Sequence, residues 1–113
     1  MAKLVSYRTL IKKLLTKHAE QSNQAPSQEL ETELVFDEQH DHYMLFTLGW
    51  WTEGRVHGTT VHVRLRNGKF WIEEDWLEDG ITTDLLEAGV PKEDIVLAFH
   101  PPKKRAWTEF AVA

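Results

Sequence analysis

The tetrapeptide Arg66-Asn67-Gly68-Lys69 constrains the fold of this chain more than any other feature. It separates two runs of alternating apolar and polar residues. Asn-Gly at its centre favours a type I′ turn, because both central residues of that turn need a positive φ, which these two types adopt most cheaply. A two-residue turn fixes the register of the hairpin. The predicted facing pairs are Leu65 with Phe70, Arg64 with Trp71, Val63 with Ile72 and His62 with Glu73.

The hairpin belongs to a predicted antiparallel meander of four strands. Strand one begins at Leu34, and strand two is so apolar on both faces that we expect it to lie centrally and to be covered on both sides. Thr52-Glu53-Gly54 is typical of a three-residue hairpin loop with glycine at the left-handed position. The second, third and fourth strands are predicted at residues 43–51, 56–66 and 69–75.

Two helices and a further strand complete the predicted domain. Residues 3–19 have the apolar spacing of an amphipathic helix and precede a loop at 21–28. A shorter helix at 80–88, with Asp79 as its N-cap, is expected to pack on the same sheet face. The apolar run 95–99 is predicted to be a buried strand, which the preceding helix allows to pair in parallel with strand four. The prediction is therefore one α+β domain over residues 1–113, with a mixed sheet if that last pairing is parallel.

Composition restricts the class of function. A net charge of −5 over 113 residues argues against a surface devoted wholly to nucleic acid. The absence of cysteine excludes disulfides, thiolate nucleophiles and thiolate metal sites, and it favours a reducing, cytoplasmic compartment. We expect no signal peptide and no membrane span, because the amino terminus enters an amphipathic pattern and no segment is apolar enough over a sufficient length.

The six histidines raise the question of a metal or catalytic site. His40-Asp41-His42 with Asp37 supplies ligand types without a recognised metal spacing, and solvated loop side chains explain them equally well. His62 opposite Glu73 resembles an acid–base pair, which stabilises a sheet surface whether or not it acts on a substrate. We therefore predict no enzyme activity, metal or cofactor. The remaining candidate for chemistry is a polar cluster of His57, Asp75, His100 and Arg105.

The five tryptophans are more informative. Alternation places Trp50 and Trp51 on opposite sheet faces and Trp71 on the outer face beside Arg64, where a cation–π contact is expected. Either the apolar tail at 107–113 partly covers this outer face, or the face is a protein interface, since indoles and arginine are typical anchors. The candidate interface residues are His62, Arg64, Trp71, Glu73, Trp107 and Phe110.

A direct nucleic-acid contact is the alternative. The basic residues of the first helix and of the loop near the carboxyl end are its candidates, although such runs are more often solvated surface. These residues are Lys12, Lys13, Lys17, Lys103, Lys104 and Arg105.

Motifs along nearly the whole chain resemble those of the XisI family. The matching residues run from Tyr7 to Leu15 and include Phe36-Asp37, Asp41-His42-Tyr43, Gly49-Trp50, Arg55-Val56-His57-Gly58, His62, Asn67-Gly68-Lys69, Trp71-Ile72, Asp75 and Glu78-Asp79-Gly80-Ile81. The last third is the most specific, with the run from Gly89 to Pro101, Arg105, and Thr108 to Ala113.

The resemblance implies a function that the composition does not. The family is named for a cyanobacterial factor that controls excision of a DNA element from the nitrogen-fixation gene that it interrupts. Its members act as accessory factors beside a site-specific recombinase and a companion, XisH, whose fold resembles nucleases. The resemblance therefore predicts a non-enzymatic protein-binding module that associates with a second copy or with an XisH-like companion, and that reaches recombinase and DNA indirectly.

Overall fold

The fold is a five-stranded sheet with helices packed on it. The computed structural model describes residues 2–24 and 29–113. Within these residues the elements are α1 (Ala2–Asn23), β1 (Leu30–Asp37), β2 (His42–Trp51), β3 (Gly54–Arg66), β4 (Lys69–Asp75), α2 (Ile81–Glu87), a 3₁₀ turn (Lys92–Asp94), β5 (Ile95–Leu97) and α3 (Pro102–Arg105). The strand order is β1-β2-β3-β4-β5, antiparallel throughout except that β5 runs parallel to β4. The predicted α+β architecture with a mixed sheet is confirmed.

The Asn-Gly turn forms as predicted. Asn67 and Gly68 have φ values of 54° and 75°, which are the positive angles of a type I′ turn. The turn places Leu65 opposite Phe70, Arg64 opposite Trp71 and Val63 opposite Ile72.

The fourth predicted pair, His62 with Glu73, is wrong. A β-bulge lies between His62 and Val63, so that His62 faces Glu74 and Glu73 is the extra residue of β4. A bulge adds one residue to one strand and shifts every later pair. The turn fixes the register only as far as the first such irregularity. A second register shift, between Leu45 and Phe46, divides the β2–β3 pairing.

The core lies between one face of the sheet, called here the inner face, and both α1 and α2. Ile11 and Leu15 of α1 and Ile81 and Leu85 of α2 are fully buried in one cluster. The sheet contributes buried side chains to the same cluster, chiefly Tyr43, Leu45, Val61, Val63, Phe70, Ile72 and Ile95. Each such side chain stabilises the fold by roughly 1.5–3 kcal/mol through its removal from water. The expectation that the two helices share one sheet face is confirmed.

The amino-terminal boundaries differ from the prediction. The helix α1 continues to Asn23, so the loop predicted from Gln21 begins later, and residues 25–28 lie outside the described part of the chain. Strand β1 begins at Leu30 rather than Leu34. The Asn23 side chain explains both extensions, because it donates to the Thr32 carbonyl and accepts from the Thr32 N–H, each at 3.0 Å. This clip ties the end of α1 to the edge of the sheet.

Two local predictions at element ends are also wrong. Trp51 pairs with Gly54, so the β2–β3 loop has two residues, Thr52 and Glu53, rather than three. The N-cap position of α2 is Gly80 rather than Asp79. Asp75 at the end of β4 replaces the cap, since its carboxylate accepts from the Ile81 N–H at 2.8 Å.

The carboxyl-terminal segment folds back on the sheet. Strand β5 ends at Leu97, so the predicted continuation to Phe99 is wrong, and Phe99 is half-exposed. The basic segment predicted as a loop is the short helix α3. Beyond it, the Ala111 N–H donates to the Ile95 carbonyl at 2.9 Å and Ala111 forms a parallel bridge with Val96. The tail therefore docks on its own domain.

None of the helices in the described ranges is long and apolar enough to cross a membrane.

Candidate interaction surfaces

The face of the sheet opposite α1 and α2, called the outer face, is covered unevenly. On β4 and β5 it carries Trp71 and Val96, which are both buried. On β2 the outward residues Met44, Phe46 and Leu48 are partly exposed and Trp50 is 57% exposed. The expectation that strand two is covered on both faces is therefore wrong, because α1 and α2 both lie on the inner face.

We call the outward side chains of β1, β2 and β3 the open face. The register arranges them in three stripes, because side chains that face one another across neighbouring strands point the same way. Leu48 lies between Glu31 of β1 and His57 of β3, and at the other end of the strands His42 lies between Asp37 and Arg64. The β1 stripe is acidic, the β2 stripe is apolar, and the β3 stripe is basic.

A histidine pair lies at the end of the open face that carries Asp37 and Arg64. His42 Nδ1 and His62 Nε2 are 3.0 Å apart. Burial lowers the pKa of His62, and the neighbouring His42 lowers it further. Arg64 Nη1 lies 3.7 Å from Glu73 beside this pair. These contacts are internal, so the predicted interface residues His62, Arg64 and Glu73 form a polar network on the sheet surface.

Trp71 lies on the outer face opposite Arg64, as predicted, but it is buried and its cation–π partners are other arginines. Its side chain is only 9% exposed, and its indole N–H donates to the Arg66 carbonyl at 3.1 Å. The guanidinium groups of Arg66 and Arg105 lie 5.2 and 5.5 Å from the ring centroid, within the range of a cation–π contact. Arg105 comes from the carboxyl-terminal segment, so the fold-back of that segment is what buries the indole.

Arg105 also organises the segment around it. It donates through Nε to the His100 carbonyl at 2.9 Å, through Nη1 to Val112 at 3.3 Å and through Nη2 to Ala98 at 3.5 Å. Three large apolar side chains of the carboxyl-terminal segment remain exposed to solvent. We call them the tail patch: Phe99, Trp107 and Val112. Trp107 is 84% exposed, whereas the other predicted tail contact, Phe110, packs against the core.

Within the described residues, no hydrogen bond joins the side chains of the predicted polar cluster to one another. Asp75 caps α2, and the hydrogen bond between Arg105 and His100 is to the His100 backbone carbonyl. His57 is exposed on β3, and no hydrogen bond in the described residues joins it to the other three. No group of three or more acidic or histidine side chains in residues 2–24 and 29–113 is arranged to hold a metal ion.

The basic residues proposed for nucleic acid divide into two groups. Lys12 pairs with Glu38 at 2.7 Å, and Arg105 is engaged as described above. The others are exposed on α1 or α3: Lys13, Lys17, Lys103 and Lys104.

The sequence reading missed the acidic and apolar stripes of the open face. Glu31 lies before the predicted start of strand one, where only Glu33 was placed beside Val35, and the apolar residues of β2 were assigned to a covered strand. The sequence does carry a signal for the apolar stripe. Strand β2 is apolar on both faces, and helices on one side of a sheet can cover only one of them.

Comparison with known proteins assigns this chain to a family. The family model described as XisI protein matches residues 1–112. The chain belongs to the XisI family. A comparison with functionally curated proteins finds no match.

Two solved XisI structures from Anabaena variabilis ATCC 29413 resemble this chain over its full fold. One is a XisI-like protein with 35% identity and a TM-score of 0.86, covering 97% of this chain and 99% of that protein. The other is described as the fdxN element excision controlling factor XisI, with 40% identity and a TM-score of 0.82, covering 98% of this chain and 99% of that protein. The XisI resemblance and the fold that it implied are both confirmed.

Proposed function

We propose that this XisI-family protein is a non-enzymatic controlling factor that acts by binding a companion protein with an XisH-like, nuclease-type fold. Through that complex it influences site-specific excision of a DNA element. A similar protein from Anabaena variabilis is described as an excision controlling factor. A function that depends on binding also suits three of the described polar groups, because Asp75 caps a helix and the pairs His42–His62 and Asp37–His40 lie on the surface.

The observation that carries this proposal is the tail patch. Trp107 leaves 84% of its surface in water, although its backbone N–H donates to the Lys104 carbonyl at 3.0 Å. An exposed indole on a hydrogen-bonded segment of backbone is the kind of anchor that dominates protein interfaces, because less conformational entropy is lost when an ordered segment is buried. The family name supports a role in DNA excision, and the tail patch supports binding of a companion protein.

Co-expression with the XisH-like companion tests the proposal. We expect a stable hetero-complex on a sizing column with light scattering, and we expect Trp107→Ala to weaken it by about tenfold or more, as loss of an interface anchor does. Trp76→Ala is the matched control, since Trp76 is 75% exposed on a different part of the chain. No complex, or equal weakening by the two substitutions, would contradict the proposal.

The alternative is a direct contact with DNA. The observation that favours it is the exposure of Lys13 and Lys17, which lie one turn apart on α1. The net charge of −5 opposes it. If this function is correct, duplex binding falls steeply with salt, by about one power of the salt concentration per phosphate neutralised. The double variant Lys13→Gln with Lys17→Gln would then bind more weakly and with a shallower salt dependence.

A further inference from the structure

The open face has a charge pattern that complements itself. Acidic side chains follow β1, basic and imidazole side chains follow β3, and the apolar row of β2 separates them. We propose that this face is a homodimer interface, in which a second copy of the chain packs sheet against sheet about a twofold axis that lies along β2. The proposal concerns a surface other than the tail patch and does not require the companion protein.

The twofold axis follows from the order of the stripes. A half-turn about an axis along β2 brings β2 of one copy over β2 of the other and exchanges the two sides of the sheet. The acidic stripe of each copy then lies over the basic stripe of its partner. An axis across the strands would instead place β1 over β1, which opposes like charges. Isologous contacts of this kind are the commonest in soluble oligomers.

The register along the strands is preserved by the same rotation. Because Glu31, Leu48 and His57 share one row of the sheet, Glu31 of one copy comes over His57 of the other. Asp37 and Arg64 share the row through His42 and oppose each other in the same way. The result is an apolar centre flanked by charged margins on both sides, which is the usual anatomy of a protein interface.

The exposed residues of the apolar row explain why a partner is needed. Trp50 is 57% exposed at one end of the row, beneath the guanidinium of Arg55 at 5.6 Å, and Val35 is half-exposed beside Met44. Met44, Phe46 and Leu48 are not part of the core cluster. Face-to-face sheets lie about 10 Å apart, a distance at which facing rows of side chains interdigitate and exclude water.

The charges of the open face favour a second copy of the chain over other binding partners. An acidic stripe beside the apolar row repels the phosphates of nucleic acid or of an anionic membrane. Addition of a strand at the sheet margin is hindered on both sides, by the Asn23 clip on Thr32 and by Ala111 alongside β5. A second copy supplies both the base for the acidic stripe and the acid for the basic one.

The interface is expected to be small. Three strands spaced about 4.8 Å apart and a row about 26 Å long give a patch of a few hundred Å² in plan, which is near the lower limit for a specific dimer. Association should therefore depend on concentration. The solution mass should rise from monomer to dimer over about a hundredfold range of protein concentration, by mass action.

The first test places a charge at the centre of the proposed interface. We expect Leu48→Glu to weaken the dimer by about tenfold or more, because an unpaired charge is then buried against its own copy. Val5→Glu is the matched control, since Val5 is half-exposed on α1 and away from the sheet. Sedimentation equilibrium reports the mass, and circular dichroism confirms that both variants are folded.

The second test uses the twofold axis itself. One variant carries Glu31→Arg with Glu33→Arg, and the other carries Arg55→Glu with Arg64→Glu. Each alone opposes like charges and should remain monomeric, whereas an equimolar mixture restores complementary charges on both sides and should form a heterodimer. The mixture also separates this surface from others, because a dimer formed elsewhere would not depend on mixing.

Three outcomes would overturn the proposal. They are a wild-type protein that stays monomeric over the whole concentration range, a dimer that Leu48→Glu leaves intact, and a charge-swapped mixture no larger than its components. The result is independent of the proposed function, because Leu48→Glu keeps the tail patch and should still bind the companion. A wild-type protein that binds the companion but never dimerises overturns only this inference, and one that dimerises but does not bind the companion overturns only the proposed function.

Discussion

At the scale of single residues, Asp75 joins two elements that the sequence treats separately. Its carboxylate ends β4 and accepts from the Ile81 N–H at 2.8 Å and from the Leu77 N–H at 3.3 Å. It therefore does the work of an N-cap from six residues upstream, at a cap position where Gly80 has no side chain to offer. Burial is the largest influence on this carboxyl and raises its pKa, although the two N–H donors act in the opposite direction.

Substitution of Asp75 should separate its hydrogen bonds from its charge. Asp75→Ala leaves the Ile81 N–H unpaired and should lower the free energy of unfolding by about 1–2 kcal/mol, whereas Asp75→Asn keeps an acceptor and should cost less than about 1 kcal/mol. Because the folded-state pKa is raised, the folded protein holds a proton that the unfolded chain has released. Stability should therefore fall as pH rises from about 4, and Asp75→Asn should lack this component.

Urea denaturation of the three proteins between about pH 4 and pH 7 measures both effects. Equal losses in the two variants would show that the capping bonds contribute nothing. A pH dependence that survives in Asp75→Asn would assign it to another group.

The predictable part of the residue-scale detail was the part governed by local chemistry. Asn67-Gly68 specifies its turn through the φ values that these two residues tolerate, and three facing pairs follow from it. The bulge at His62 depends on how β3 and β4 fit the core, and the capping role of Asp75 depends on where α2 begins in space. Neither is encoded within a few residues of where it occurs.

At the scale of elements, the close approach of the start of β1 to the end of β2 depends on Gly49. A side-chain Cβ built at this position would lie 2.1 Å from the Glu29 carbonyl oxygen, and Gly49 has a φ of +140°. The same Glu29 carbonyl accepts the Trp50 N–H at 3.1 Å, so the two strands approach closely where β1 starts. Backbone contact of this kind is open only to glycine.

Alanine substitutions at two glycines of this sheet should therefore differ greatly. Gly49→Ala should destabilise by more than about 2 kcal/mol, because backbone must move to admit the methyl group. Gly58→Ala on β3 is the control, since its Cβ would meet nothing within 4 Å, and it should change stability by less than about 1 kcal/mol. Thermal unfolding followed by circular dichroism compares them. A Gly49→Ala variant as stable as Gly58→Ala would contradict the close approach.

At the scale of the whole molecule, the carboxyl-terminal segment decides which part of the outer face is available. By covering Trp71 it removes β4 and β5 from that face, and it leaves the stripes of β1 to β3. The sequence showed an apolar tail and an outer indole but not that one covers the other, because contacts between such distant parts of a chain have no local signature. Trp71 is therefore not available as an interface residue, and the open face and the tail patch are the candidate interfaces.

Arg105 holds that segment in place, and Arg105→Lys should loosen it. Lysine keeps the charge but cannot reach three carbonyls from one planar group, so the free energy of unfolding should fall by about 1–2 kcal/mol. The indole N–H of Trp71 should also exchange faster with solvent, as NMR measures. Lys103→Ala on the exposed side of α3 is the control and should alter neither quantity. Unchanged protection of the Trp71 indole in Arg105→Lys would show that the segment is held by other contacts.

The Asn23 clip has a consequence for how far assembly can proceed. It occupies the β1 margin at Thr32, near the start of the strand, and Ala111 runs along the opposite margin at β5. Engagement of both borders hinders growth of the sheet by addition of further strands, which is the route to fibres. Association can then use the open face, whose pattern complements itself. A twofold axis relates two copies only, so the contact is satisfied once two chains have met. The amide of one asparagine thus favours an assembly that is finite.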